Sequence, residues 1–228
     1  MALDVYVGSF TRYYLGNWET PGAKVARDLG ASYHVIRPLN EMEGAVTDPA
    51  IVQEAVLNWR TSLETGLKKH LPDGLLWSEE PETPYFTDRP AYDGYSSLVL
   101  LAAHTECPDF PAPAEAVSEW QTDEAFKVAT SPEFKSRFPS LYEVEIWLPC
   151  QFSFKFKAPD VAGETVWFGS SVTLYEQLRC LYDEQTNRGH FETAPVNSFD
   201  RMARFGLEMF LRLARLSVEH QLPMKLDY

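Results

Sequence analysis

Arg12, Tyr13, Tyr14, Trp18 and Glu19 crowd one short segment near the start of the chain. A guanidinium can grip a carboxylate or phosphate through paired hydrogen bonds. Tyrosine and tryptophan offer flat apolar faces with a polar tip. Glu19 can accept a proton or pair with Arg12. Residues 9–19 thus form a candidate site for an anionic small molecule, with Arg12, Tyr13 and Trp18 as binding residues and Glu19 as a weak candidate base. The same mixture also suits an aromatic loop folded over its own core. His190, two positions before Glu192, is the histidine best suited to acid–base work and the second weak catalytic candidate.

A different chemistry is suggested further along. Glu79, Glu80, Glu82 and Asp88 are interleaved with Pro81, Pro84 and Pro90. A long, irregular acidic loop can present carboxylates to a basic partner, or can serve as a solvated connector. Gly169-Ser170-Ser171 comes just before a segment of helical periodicity. Free N–H groups at such a turn can hold an anion, but serine capping of the helix accounts for the same residues.

Many chemistries have no motif here. The chain has no Gly-x-Gly-x-x-Gly or Walker loop, no Gly-x-Ser-x-Gly elbow, no His-Glu-x-x-His helix and no Asp-x-Asp-x-Asp-Gly loop. His34, His70, His104, His190 and His220 are dispersed. Cys107, Cys150 and Cys180 are far apart and form no Cys-x-x-Cys pair, so neither a zinc ribbon nor a disulfide framework is supported. No cofactor and no metal is called for.

These residues must be positioned by a sizeable core. The 228 residues are 45% hydrophobic and 14% aromatic, enough for one large packed domain. A single globular domain over residues 1–228 is expected, with residues 108–113, rich in proline, as the place for a subdivision. The net charge of −13 repels phosphates, so nucleic acid and anionic membrane are not expected partners. A basic protein is. Three scattered cysteines suit a reducing compartment. Residues 1–4 lack the basic start of a secretory leader, and the longest aliphatic run, residues 98–103, is too short to span a bilayer. The expected setting is the cytoplasm.

The most legible architecture lies in residues 142–182. Val144, Ile146 and Leu148 alternate with polar or amphipathic residues, as do Phe152, Phe154 and Phe156 with Ser153, Lys155 and Lys157. Each run predicts a strand. Val166, Trp167 and Phe168 predict a third, and a capping box of Thr173 and Glu176 opens a helix with Leu174, Leu178 and Leu181 on one face. Near the start, a strand ending at Gly8, a helix opened by Thr20-Pro21 with Val25, Ala26 and Leu29 as its apolar face, and a strand at residues 33–36 suggest a βαβ unit. Asp48-Pro49 opens a long helix whose stripe is Val52, Ala55, Val56, Trp59, Leu63 and Leu67, with a short strand expected at residues 75–77. Residues 96–104 predict a buried helix. Short helices are expected at residues 114–120, at residues 123–129 and after Ser131-Pro132. A final helix over residues 199–220, begun by Asn197 and Asp200, shows one narrow polar stripe: Arg201, Arg204, Glu208, Arg212, Arg215 and Glu219. It should be largely buried. The fold class is α/β or α+β, a mixed sheet with several packed helices.

Two functions follow. The first is a non-catalytic acidic intracellular protein that binds or masks a basic protein partner. In this it resembles bacterial toxin-immunity proteins by class alone, with no shared motif. The second is a small-molecule enzyme or sensor that holds an anionic ligand at residues 9–19. The missing catalytic motifs favour the first.

Overall fold

The computed structural model describes residues 3–32, 48–117, 119–189, 195 and 198–227. Among them six strands form one mixed sheet: β1 (Asp4–Val7), β2 (Phe86–Asp88), β3 (Ile146–Leu148), β4 (Phe156–Pro159), β5 (Thr165–Ser170) and β6 (Met224–Asp227). Their order is β2-β1-β6-β3-β5-β4, and only the β3–β5 pair is parallel. The sheet draws strands from both sides of residues 108–113.

Alternation along the strands divides the core in two. Val5, Val7, Trp147, Met224 and Leu226 point to one face, where they meet α4 (Ala91–Glu106), α6 (Ser171–Asn187) and α7 (Phe199–His220). Ile146, Leu148, Val166 and Phe168 point to the other, where they meet α1 (Phe10–Tyr14) and α3 (Pro49–Leu67). The architecture is α+β, with helices on both faces of a mixed sheet.

The two central helices are the buried ones. In α4 every residue from Gly94 to His104 is buried. In α7 Phe199, Ala203, Gly206, Phe210, Leu213 and Ser217 are buried, while the six charged stripe positions are exposed. A Cβ built on Gly206 would run into the carbonyl oxygen of Gly94. The helices can therefore approach this closely only because residue 206 has no side chain. Ser198 begins α7, its Oγ accepting from the Arg201 N–H, and Gln221 ends it in the left-handed region at φ 51°. Asn197 lies outside the described residues. Arg204–Glu208 and Arg215–Glu219 pair along the stripe, but Arg212 reaches across to Asp88 instead of back to Glu208.

Several expectations are corrected. Residues 152–155 form no strand despite their alternation. The β4–β5 hairpin pairs outward from its turn, Pro159 with Thr165 and Phe156 with Phe168, which confines the ladder to residues 156–159. The phenylalanine rings collapse on one another instead, Phe152 and Phe154 lying 4.9 Å apart. The cap of α6 is Ser170, not Thr173, because the Thr173 hydroxyl is spent on the Phe152 carbonyl at 2.5 Å. Residues 75–77 form no strand, and residues 114–117 and 131–135 are not helical. A single 3-10 turn, Trp120–Thr122, precedes α5 (Glu124–Ala129). Thr20 caps α2 (Pro21–Asp28), yet no residue of the expected apolar face is buried: Val25 is 57% and Leu29 78% exposed. The strand at residues 33–36 lies outside the described residues. Both edges of β1 are occupied by antiparallel neighbours, β2 and β6.

Candidate functional site

Ser9 turns the chain from β1 into α1. Its side chain accepts from the Arg12 N–H, and the Tyr6 hydroxyl donates to its carbonyl oxygen at 2.9 Å. The remaining free N–H groups of this short helix are met from outside the segment. Glu79 is 5% exposed, and its carboxylate accepts from Phe10 N–H at 3.2 Å, Thr11 N–H at 2.7 Å and the Trp77 indole N–H at 2.5 Å. A carboxylate at a helix start satisfies free donors and complements the positive end of the helix.

Arg12 answers this contact from the other side. Its guanidinium donates to the carbonyls of Asn17 at 3.3 Å, Thr83 at 3.1 Å and Pro81, and lies over the Tyr85 ring at 5.0 Å. Residues 9–17 and 77–85 are thus clamped together. Ser78 and Thr83 share a hydroxyl–hydroxyl bond at 2.8 Å, and Thr83 N–H donates to Glu80 O at 3.0 Å. This loop is a fastened turn. Glu79 and Thr83 point inward, while Glu80 and Glu82 are exposed at its tip.

The aromatic residues are similarly engaged. The Tyr13 hydroxyl donates to Asp227 at 2.5 Å, and the Trp18 indole donates to Tyr13 O at 3.3 Å and is buried. Tyr13 and Trp18 stack at 5.6 Å. Tyr14 donates to Asp160 at 2.9 Å, and Lys225 lies 3.4 Å from the same carboxylate. Burial, and then the Asp160 charge, hold the Tyr14 phenol well above its ordinary pKa. Glu19 pairs with Arg27 at 2.5 Å, not with Arg12. Asp88 pairs with Arg212 and accepts from the Arg89 N–H at 2.8 Å.

So the structure brings Arg12, Tyr13 and Trp18 together, but as a layer laid over the sheet and tied to it. Glu19 stands apart at Arg27. Of the four acidic loop residues, Glu79 is internal and Asp88 is paired, leaving Glu80 and Glu82 facing out. His190 and Glu192 lie outside the described residues. Sequence reading missed Asp160, Lys225 and Asp227. The alternation of Met224, Lys225, Leu226 and Asp227 was the available signal: two apolar residues on one face and two charges on the other.

Four further reactive groups are buried or already engaged. Burial pushes the Cys150 thiol up to about 12 and raises Cys107 as well, so neither is a ready thiolate. The ring nitrogens of His104 are taken by Phe110 O at 3.3 Å and Asp123 at 3.2 Å. Ser170 Oγ accepts from Thr173 N–H and donates to Cys150 O at 2.6 Å, so it caps its own helix. Among the described residues no group of three or more His, Cys, Asp and Glu is arranged to hold a metal, and no helix is long and apolar enough to cross a membrane. No family model, curated protein or solved structure matches the chain.

Proposed function

We propose that this chain is a non-catalytic acidic protein of the cytoplasm that binds and masks a basic protein partner, presenting Glu80 and Glu82 as part of the contact. The observation that carries this reading is the fastened turn at residues 78–83. Buried Glu79 and the Arg12 clamp hold its base while its two remaining glutamates face solvent. A contact held in place before binding loses little further freedom on association. The net charge of −13 adds a long-range field that would draw a basic partner in. The anionic-ligand reading has less support, because both terminal nitrogens of the Arg12 guanidinium donate to backbone carbonyls.

The test begins with native mass spectrometry of the full chain purified gently from the cells that make it. A stoichiometric basic protein is expected. Its association rate should fall steeply with added salt, and the double substitution Glu80→Gln, Glu82→Gln should slow association about threefold to tenfold at low salt. A bare chain at native abundance, or a partner whose association ignores both salt and the substitutions, would overturn the proposal.

A further inference from the structure

We propose that the cleft between the start of α4 and the start of β3 binds an organic cation, an alkylated ammonium or a guanidinium head group. The cleft measures about 220 Å³ and is lined by Tyr92, Tyr95, Trp120, Glu143 and Glu145, with Leu3 and Leu226 adding apolar surface. Pockets for drug-sized ligands run to roughly 300–1,000 Å³, so this one suits a head group or a side-chain tip.

Three aromatic rings meet at one place on the protein. Tyr92 and Trp120 have centroids 5.8 Å apart and planes tilted by 50°. Tyr95 and Trp120 stand nearly edge to face at 5.6 Å and 84°. Rings at such angles enclose a corner, where flat stacking would fill it. The corner is held firm from behind, since Tyr95 is buried and stacks on Phe210 of α7 at 5.5 Å. Aromatic faces carry the negative part of the ring quadrupole, and a cage of them selects cations, above all poorly hydrated ones.

The charge in the cleft has the matching sign. Two carboxylates, Glu143 and Glu145, line it together with the rings. The Tyr95 phenol is held above its ordinary pKa by burial first, then by Glu145, Tyr92 and Glu143, which places both carboxylates within electrical reach of the ring. Among the described residues Lys155 pairs with Glu143 at 2.7 Å and rests against the Trp167 ring, and it does not line the cleft. The positive end of α4 is offset by Asp93 in its first turn. Glu143 also adopts φ 64°, a left-handed conformation that is unfavourable for a residue with a Cβ and is concentrated at binding and catalytic positions. The cleft shares no residue with the Glu80–Glu82 tip, so the two proposals stand or fall separately.

The probes are choline, N-acetyl-trimethyllysine amide and N-acetyl-arginine amide, titrated into the full chain and followed by the indole N–H resonance of Trp120. The control is 3,3-dimethyl-1-butanol, which copies the shape of choline without its charge. At least one cation should move the Trp120 resonance in a saturable way, with affinity at least tenfold above that of the control. Glu143→Gln should weaken that binding about fivefold, and Trp120→Leu more than tenfold, with the rest of each variant's spectrum unchanged. Both positions are partly or fully exposed, so the variants should fold. Tightest binding by choline would identify a free small cation as the occupant, whereas tightest binding by a capped amino acid would identify a side chain from a protein. Equal binding of choline and its neutral copy would overturn the proposal, as would an unmoved Trp120 resonance with all three cations up to about 50 mM.

Discussion

Glu79 and Arg12 lie 67 positions apart and hold one another's segments in place without forming a pair. Each binds backbone groups of the other's loop. Removing Glu79 leaves two backbone N–H groups and an indole N–H unsatisfied inside the protein, so Glu79→Ala should cost about 2–4 kcal/mol in urea unfolding. Arg12→Ala should cost about 1.5–3 kcal/mol through the lost carbonyl contacts. Glu80→Ala, one position away at the surface, should change stability by less than about 0.5 kcal/mol. Equal effects at residues 79 and 80 would disprove the internal role of Glu79. The sequence makes residues 79–85 legible as acidic and irregular but hides that residues 86–88, expected in the same loop, pair with β1 as a strand, and it exposes Arg12 as a grip on something negative. It does not distinguish Glu79 from Glu80. That difference arises because Glu79 meets a helix start folded against it from a distant segment, and no local pattern records such a meeting. In the sequence Arg12 suits a grip on a ligand; its acceptors in the fold are carbonyl oxygens, which every residue carries.

At the scale of elements, the α4–α7 crossing organises one half of the core. Gly206 sits where the two backbones come close enough that a Cβ would meet the Gly94 carbonyl. In an exposed helix Gly→Ala gains about 1 kcal/mol. Here Gly206→Ala should instead destabilise by about 1–3 kcal/mol, because the new methyl meets a backbone oxygen that cannot swing aside. A thermal melt of the variant at or above the parent value would show that the helices can separate without loss. Both helices were readable from composition: α4 is apolar nearly all round, and α7 carries one narrow charged stripe. Strands were less readable. The phenylalanine alternation at residues 152–156 is the cleanest in the chain, yet its first part has no partner strand, since pairing begins at the turn after Pro159. The four residues of β6 alternate, but over so short a run that the signal is easily passed over, and they lie at the centre of the sheet. Side-chain alternation reports which faces are buried; it does not report which backbone lies alongside.

For the molecule as a whole, buried phenols should set the limit of stability in base. Burial is the leading cause that raises the pKa of Tyr6, Tyr14, Tyr95 and Tyr142. The folded chain keeps these protons to higher pH than the unfolded chain, which releases them near the ordinary tyrosine value of about 10. Their contribution is therefore fully present below pH 10 and is lost as pH rises, by up to about 1.4 kcal/mol per pH unit for each phenol. Unfolding should be steep in this range, and the tyrosinate absorbance of the buried phenols should appear together with the loss of circular dichroism. Tyrosinate signal from all the phenols before any structural loss would contradict the burial of these four. At the sheet margin, β4 carries Lys157 and Pro159, residues that discourage pairing with a second chain. The order of the sheet also bears on how the molecule is made. Among the described residues β6 lies between β1 and β3, with Asp4 opposite Asp227 in register. A ribosome releases β1 and β2 first and the β3–β5–β4 group later, and neither can dock on the other until α7 and β6 have also emerged. From the emergence of β5 at residue 170 until that of β6 at residue 227, the nascent chain holds two half-sheets with open edges, and their joining depends on a strand made well after both.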